Sequence, residues 1–115
     1  ARESEPPVSF FLLYRKKVVS LQIEINTIIV MPTISEFFGI RIEIRFLDHN
    51  PPHFHAKYQM DKVIVEIKDG KVKGEMSERA LRLVLEWLDL HRDELLTAWQ
   101  QASTGIEPDP IEPLK

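Results

Sequence analysis

Ile40-Arg41-Ile42-Glu43-Ile44-Arg45-Phe46, then Asp48-His49-Asn50-Pro51-Pro52, then His53-Phe54-His55-Ala56-Lys57-Tyr58 is the stretch that decides the fold. In the first run, apolar residues at 40, 42, 44 and 46 alternate with Arg41, Glu43 and Arg45, the period of a strand with one buried face. Asp and Asn side chains bond their own backbone and two prolines fix φ, so residues 48–52 are a turn, not the middle of a strand. The second run puts Phe54, Ala56 and Tyr58 on one face and His53, His55 and Lys57 on the other. Two antiparallel strands joined by a loaded turn are expected.

Working outward, Lys62 to Lys68 reads as a third strand with Val63, Val65 and Ile67 inward. Asp69-Gly70 is a hairpin turn and Lys71 to Glu75 a short fourth strand. Ser77 suits a helix N-cap, with Glu78 favourably placed against the helix dipole. No Gly or Pro interrupts the chain from there to about Ala102. Leu81, Leu85, Leu88, Leu95 and Trp99 make one apolar stripe, with Val84, Trp87 and His91 beside it. Gly105 ends the helix, and the prolines that follow give an extended tail over residues 106–115. The expected fold is α+β: an antiparallel meander of three or four strands packed on one long C-terminal helix. Leu83 and Leu90 widen the apolar helix surface, which calls for cover from the N-terminal residues or a partner.

Residues 8–30 read as one or two further strands, with Phe10 to Leu13 apolar and Leu21, Ile23 and Ile25 in alternation. Met31-Pro32-Thr33-Ile34-Ser35 reads as a second beginning. The expected division is therefore an N-terminal extension over 1–30, upstream-translated or non-native, and one domain over 31–115.

At 115 residues with 43% hydrophobic and 29% charged residues, the chain has the composition of a soluble globular protein of one domain. No apolar stretch is long enough to span a bilayer. The absence of cysteine excludes a disulfide framework and thiolate metal ligation and suits a reducing cytoplasm, the expected location. Charge is uneven: residues 40–74 carry seven basic and five acidic groups, residues 75–115 four and nine. Overall the chain is at −3, so nucleic acid could be met only through a local basic face.

Three of the four histidines lie within residues 49–55. His53 and His55, two apart on a strand, stand side by side. His49 across the turn is a third candidate ligand, and Asp48 or Asn50 could add an oxygen. His49, His53 and His55 are thus candidates for a divalent metal, the expected cofactor if there is one. The same histidines without metal could act as acid and base. Alternation places Arg41, Arg45 and Lys57 on the histidine face, together with Lys62 and Lys68 and against Glu43 and Glu66. Such a face suits phosphate, and Arg41, Arg45 and Lys57 are the candidates to hold it. It also suits an acidic partner protein, and cations on a wet strand serve solubility alone in many proteins. His91 reads as a satisfied boundary histidine, and Trp87 and Trp99 as core anchors.

Met31-Pro32-Thr33-Ile34-Ser35-Glu36-Phe37-Phe38-Gly39-Ile40 resembles the opening of the small bacterial DUF4160 family, whose function is unknown. Asp48-His49-Asn50-Pro51-Pro52-His53-Phe54-His55-Ala56 is similar to its central motif. The helix Arg79 to Trp87 with Leu90-His91-Arg92, and the tail Pro110-Ile111-Glu112-Pro113-Leu114, are similar to the rest, so the resemblance covers residues 31–115. It implies the toxin-like member of a bacterial type II toxin–antitoxin module, held by a small antitoxin-like partner of the DUF2442 kind encoded nearby. With the histidine face as its site, the expected activity is cleavage of RNA or nucleotide phosphodiesters by His53, His55 and His49. A non-catalytic protein- or nucleic-acid-binding module and a metal-dependent hydrolase are the alternatives.

Overall fold

The computed structural model describes residues 31–115, and the strands expected within 8–30 lie outside the described residues. Five strands and one helix follow in order: β1 (Thr33–Phe37), β2 (Ile40–Glu43), β3 (His53–Tyr58), β4 (Asp61–Glu66), β5 (Val72–Glu75) and α1 (Glu78–Ser103). Every strand pairs antiparallel with its sequence neighbour, giving a meander in the order β1-β2-β3-β4-β5. The α+β fold with one long C-terminal helix is as expected, but there are five strands, not three or four. The added strand is β1. Its pairing with β2 shifts register between Thr33 and Ser35, so that both Ile34 and Ser35 are buried. A bulge of this kind breaks the period-two pattern by which a strand is read.

Two hairpin tips are tight. Phe38 and Gly39 join β1 to β2 with φ of 51° and 81°, positive at both central residues as a twisted two-residue hairpin requires. Gln59 and Met60 join β3 to β4. The β4–β5 connection is longer than the Asp69-Gly70 pair alone. Glu66 N–H donates to Lys71 C=O at 2.9 Å and Gly70 N–H to Glu66 C=O at 2.9 Å, enclosing residues 67–70. Lys68 therefore lies in a turn and not on the strand face expected of it.

The inner sheet face carries Ile40, Ile42, Ile44, Phe54, Ala56, Val63 and Val65, all buried. Against it α1 sets Ala80, Val84, Trp87, Leu88, Leu95, Ala98, Trp99 and Ala102. Trp87 is fully buried, its ring centroid 5.3 Å from Phe37 and 5.8 Å from Phe54. Ser77 Oγ accepts from Ala80 N–H at 3.1 Å and caps the helix, as the sequence predicts. Halfway along, His91 leaves helical geometry (φ −127°, ψ 26°), and the turn is held by Arg92 Nε donating to Ile67 C=O at 2.9 Å. His91 is half-buried beside Trp87, its Nδ1 2.5 Å from Glu94 Oε1, a boundary histidine with a partner.

The tail has no regular structure, yet it is packed. Ile111 N–H donates to Ile34 C=O at 2.8 Å, and Trp87 Nε1 donates to Glu112 C=O at 2.8 Å. Ile111 and Leu114 are buried in the core cluster. The tail thus covers part of the spare helix surface, while Leu90 stays exposed at 64%. Deletion of residues 110–115 removes two buried side chains and leaves a buried indole N–H without its acceptor. The unfolding free energy is expected to drop by on the order of 4 kcal/mol in urea denaturation; a loss below about 1 kcal/mol would show that the tail is peripheral.

Candidate functional site

The loop from β2 to β3 is fastened at both ends. After β2, Ile44 and Phe46 still point into the core, and Ile44 N–H donates to Pro32 C=O at 3.3 Å. The chain then turns at Leu47 (φ 54°), whose N–H donates to Ala102 C=O at 2.9 Å, near the end of α1. Beyond the cis Asn50-Pro51 bond, Pro52 C=O accepts from Ile67 N–H at 3.0 Å and the chain enters β3.

Between these anchors the Asp48 carboxylate is turned inward, its side chain 5% exposed. Its Oδ1 accepts from the His49 backbone N–H at 2.8 Å, and its Oδ2 lies 2.9 Å from His53 Nε2. His53 Nδ1 is 2.8 Å from Pro51 C=O, and its ring rests on Trp99 with centroids 5.0 Å apart. His55 meets His53 edge-on at 5.5 Å, and His55 Nε2 is buried without a hydrogen-bond partner. One ligand atom from each of Asp48, His53 and His55 lies within 4.8 Å of the other two.

This geometry restricts the chemistry. A carbonyl only accepts, so His53 Nδ1 carries a hydrogen for Pro51. His53 Nε2 then directs its lone pair at a carboxylate that also only accepts. The contact is satisfied by a second proton on the ring, or by a cation shared between Asp48 and His53. The Nδ1–H to carbonyl bond is the outer contact that orients a metal-ligating histidine. Free acid–base exchange by His53 is not favoured, because both nitrogens are engaged.

Burial pushes the His55 pKa down to about 4, helped by the neighbouring charges of His53 and Arg45 and opposed by Asp48. His55 is therefore neutral at pH 7, the form that ligates a metal. For Asp48, burial pushes the carboxyl upward, but the His49 N–H, His53 and Arg45 outweigh it and the net direction is downward.

The sequence-predicted residues do not all converge. His53 and His55 sit together at the centre of the site. His49 is exposed at the mouth, with Nδ1 3.0 Å from Asp48 Oδ1, and it is Asp48, the oxygen donor the sequence also offered, that joins His53 and His55 in the cluster. Asn50 is exposed and outside the cluster. Arg45 lines the same cavity of about 150 Å³, and its Nε is buried without a partner. Lys57 lies one same-face position further along β3 and pairs with the buried Glu43 at 3.3 Å. Arg41 lies across from Lys57, outside that cavity, and is committed to Glu36 at 3.0 Å. Two residues not singled out in the sequence as site residues also line the cavity, Glu66 and Lys73. The register Glu43–His55–Ile64–Lys73 across four strands is what brings Lys73 there. That register is not readable without knowing each turn length.

An acid-stability profile follows. The pKa of His55 lies near 4 in the fold against 6.5 for the free group, so between these values the unfolded chain binds more protons. Stability is therefore complete above pH 6.5 and is lost progressively down to about pH 4, with Asp48 adding its own loss only below its ordinary value of 3.8. Urea midpoints recorded from pH 7 to 4.5 are expected to decline for the wild type and to flatten for His55→Gln. Parallel profiles would contradict this assignment.

No helix among the described residues is long and apolar enough to cross a membrane. Comparison with curated proteins and with solved structures finds no match. The sequence model described as Domain of unknown function (DUF4160) matches residues 39–100, more than half of the chain and the span that holds the whole His53–His55–Asp48 cluster. The chain belongs to the DUF4160 family.

Proposed function

We propose that Asp48, His53 and His55 bind one divalent cation and that the protein is a small metal-dependent hydrolase acting on phosphate esters. The observation that carries this reading is the convergence of one ligand atom each from Asp48, His53 and His55 within 4.8 Å, beside a His55 whose Nε2 is buried and unpartnered. Two imidazoles and one carboxylate suit zinc and related first-row divalent ions. When bound, the ion supplies Lewis-acid chemistry to an anionic substrate.

The chain's own residues account for the rest. Trp99 and Pro51 hold the His53 ring, and Arg45 and Lys73 bring positive charge to the cavity wall. In the hydrolysis, a water oxygen forms a new bond to phosphorus and the bond from phosphorus to the leaving oxygen breaks. One water proton passes to His49 at the mouth and from there to the departing oxygen. His49 suits this because its ring is 88% exposed and lies beside the Asp48 carboxylate. This reading replaces a metal-free His53/His55 pair, whose acid–base exchange the Pro51 and Asp48 contacts oppose. A toxin-like role and a DUF2442-like antitoxin partner belong to the same proposal and rest on the family resemblance, and a cytoplasmic location rests on the cysteine-free sequence. A phosphate-ester hydrolase is an activity that a cell must hold in check.

Equilibrium dialysis of the metal-stripped full chain against zinc and manganese, with metal quantified per chain, tests the centre. One ion per wild-type chain is expected. Asp48→Asn and His55→Gln are each expected to weaken binding about a hundredfold, whereas His49→Ala leaves it unchanged and slows turnover of a generic phosphodiester. Equal metal uptake by all four proteins, or none by the wild type, would overturn the reading.

A further inference from the structure

The cavity at the histidine cluster opens sideways into a second and larger one. Both are lined by Arg45, His55, Ile64 and Lys73, so they form one continuous depression on the outer sheet face. The second cavity has a volume of about 430 Å³. It adds Lys57 and Lys62 to Arg45 and Lys73, giving four cations and no carboxylate among the described residues of its wall. Of the four, Lys57 is paired with Glu43; among the described residues no ion pair engages Arg45, Lys62 or Lys73. Three cations free of ion pairs on one concave face set up a local positive potential that attracts an anion, although the chain's net charge is −3.

The size and border of this basin narrow the anion. Its volume falls in the range of small-molecule sites, roughly 300–1,000 Å³. Carboxylates bound it along the sheet: Glu36 beside Arg41, Glu75 opposite Lys62, and Glu66 opposite His53. A polynucleotide crossing the face would pass over those acids. Among the described residues no Phe, Tyr or Trp lines the basin, so they supply no stacking platform of the kind on which single strands are held. Gly74 closes the wall at φ +106°, where an added Cβ would lie 2.8 Å from Lys62 C=O, so β5 lies close against β4 and brings Lys73 beside the cluster.

We infer that the basin is the subsite for a second phosphate group, and that the substrate is a compact, multiply phosphorylated small molecule whose reacting phosphate lies at the Asp48–His53–His55 centre. The inference rests on the proposed metal centre for the position of the reacting phosphate, while the basin's own affinity is independent of the metal. Lys62 and Lys73 are the residues that set it, since both are exposed and neither supports the core.

Isothermal titration of the full chain in chelator with orthophosphate, inorganic pyrophosphate and a twelve-nucleotide single-stranded RNA tests this. Pyrophosphate is expected to bind about tenfold more tightly than orthophosphate, and Lys62→Ala/Lys73→Ala to lose about tenfold for pyrophosphate. Circular dichroism verifies that the variant is folded, and it is expected still to take up one zinc ion per chain. Equal pyrophosphate affinity in the wild type and the folded variant would overturn the inference. So would tighter binding of the RNA with a log–log salt slope near −3, the mark of about four phosphate contacts along a strand. Absence of zinc uptake with pyrophosphate binding intact would remove the metal centre and leave the basin standing.

Discussion

The hydrogen bond from Leu47 N–H to Ala102 C=O ties the loop that carries the chemistry to the far end of the chain's one long helix. The same carbonyl accepts from Gly105 N–H at 3.0 Å, so its two lone pairs join the loop and the end of the helix at one atom. At the other end of the loop, Pro52 C=O receives Ile67 N–H from the turn after β4. Asp48 is suspended between these fastenings, and its carboxylate faces β3 because the loop cannot swing outward. Trp99, three residues before Ala102 on the same helix, supports the His53 ring from below. The cluster is therefore set by the packing of α1 on the sheet, and a change in the helix end reaches the site without touching a ligand.

Electrostatics complete the picture. Asp48 and Glu66 are the carboxylates lining the cluster cavity, while Arg45 and Lys73 contribute two positive charges and His55 is held neutral. Leaving His53 aside, these formal charges cancel. A divalent ion tips the cavity positive by about two charges, which is the condition under which a phosphate dianion is drawn in. Arg45 stands at the junction of the two cavities with a buried Nε that lacks an acceptor, and an anion there would satisfy it.

Much of this was legible in the residues. Alternation over Ile40–Phe46 and His53–Tyr58 assigns each side chain to its face, so the co-facial histidines and the basic character of the outer face follow from period two alone. The Ser77 cap and the unbroken run to Ala102 define the helix. Four features escape such reading. β1 is hidden by its bulge, which sends adjacent Ile34 and Ser35 inward together. Which of the turn's candidates, Asp48, His49 or Asn50, faces His53 and His55 depends on backbone direction within the turn, where neighbouring residues point apart and no periodicity applies; it is Asp48. Lys73 depends on cumulative register across three hairpins, where one residue of error moves it to the opposite face. The kink at His91 occurs without Pro or Gly and has no sequence mark.

The proposed chemistry needs one cation at one place, and anomalous diffraction from zinc-loaded crystals of the full chain addresses this most directly. A single strong peak is expected about 2.0–2.2 Å from Asp48 Oδ2, His53 Nε2 and His55 Nε2, with His53 Nδ1 still donating to Pro51 C=O. A peak on the exposed His49 ring alone, with His53 Nε2 still hydrogen-bonded to Asp48, would contradict it.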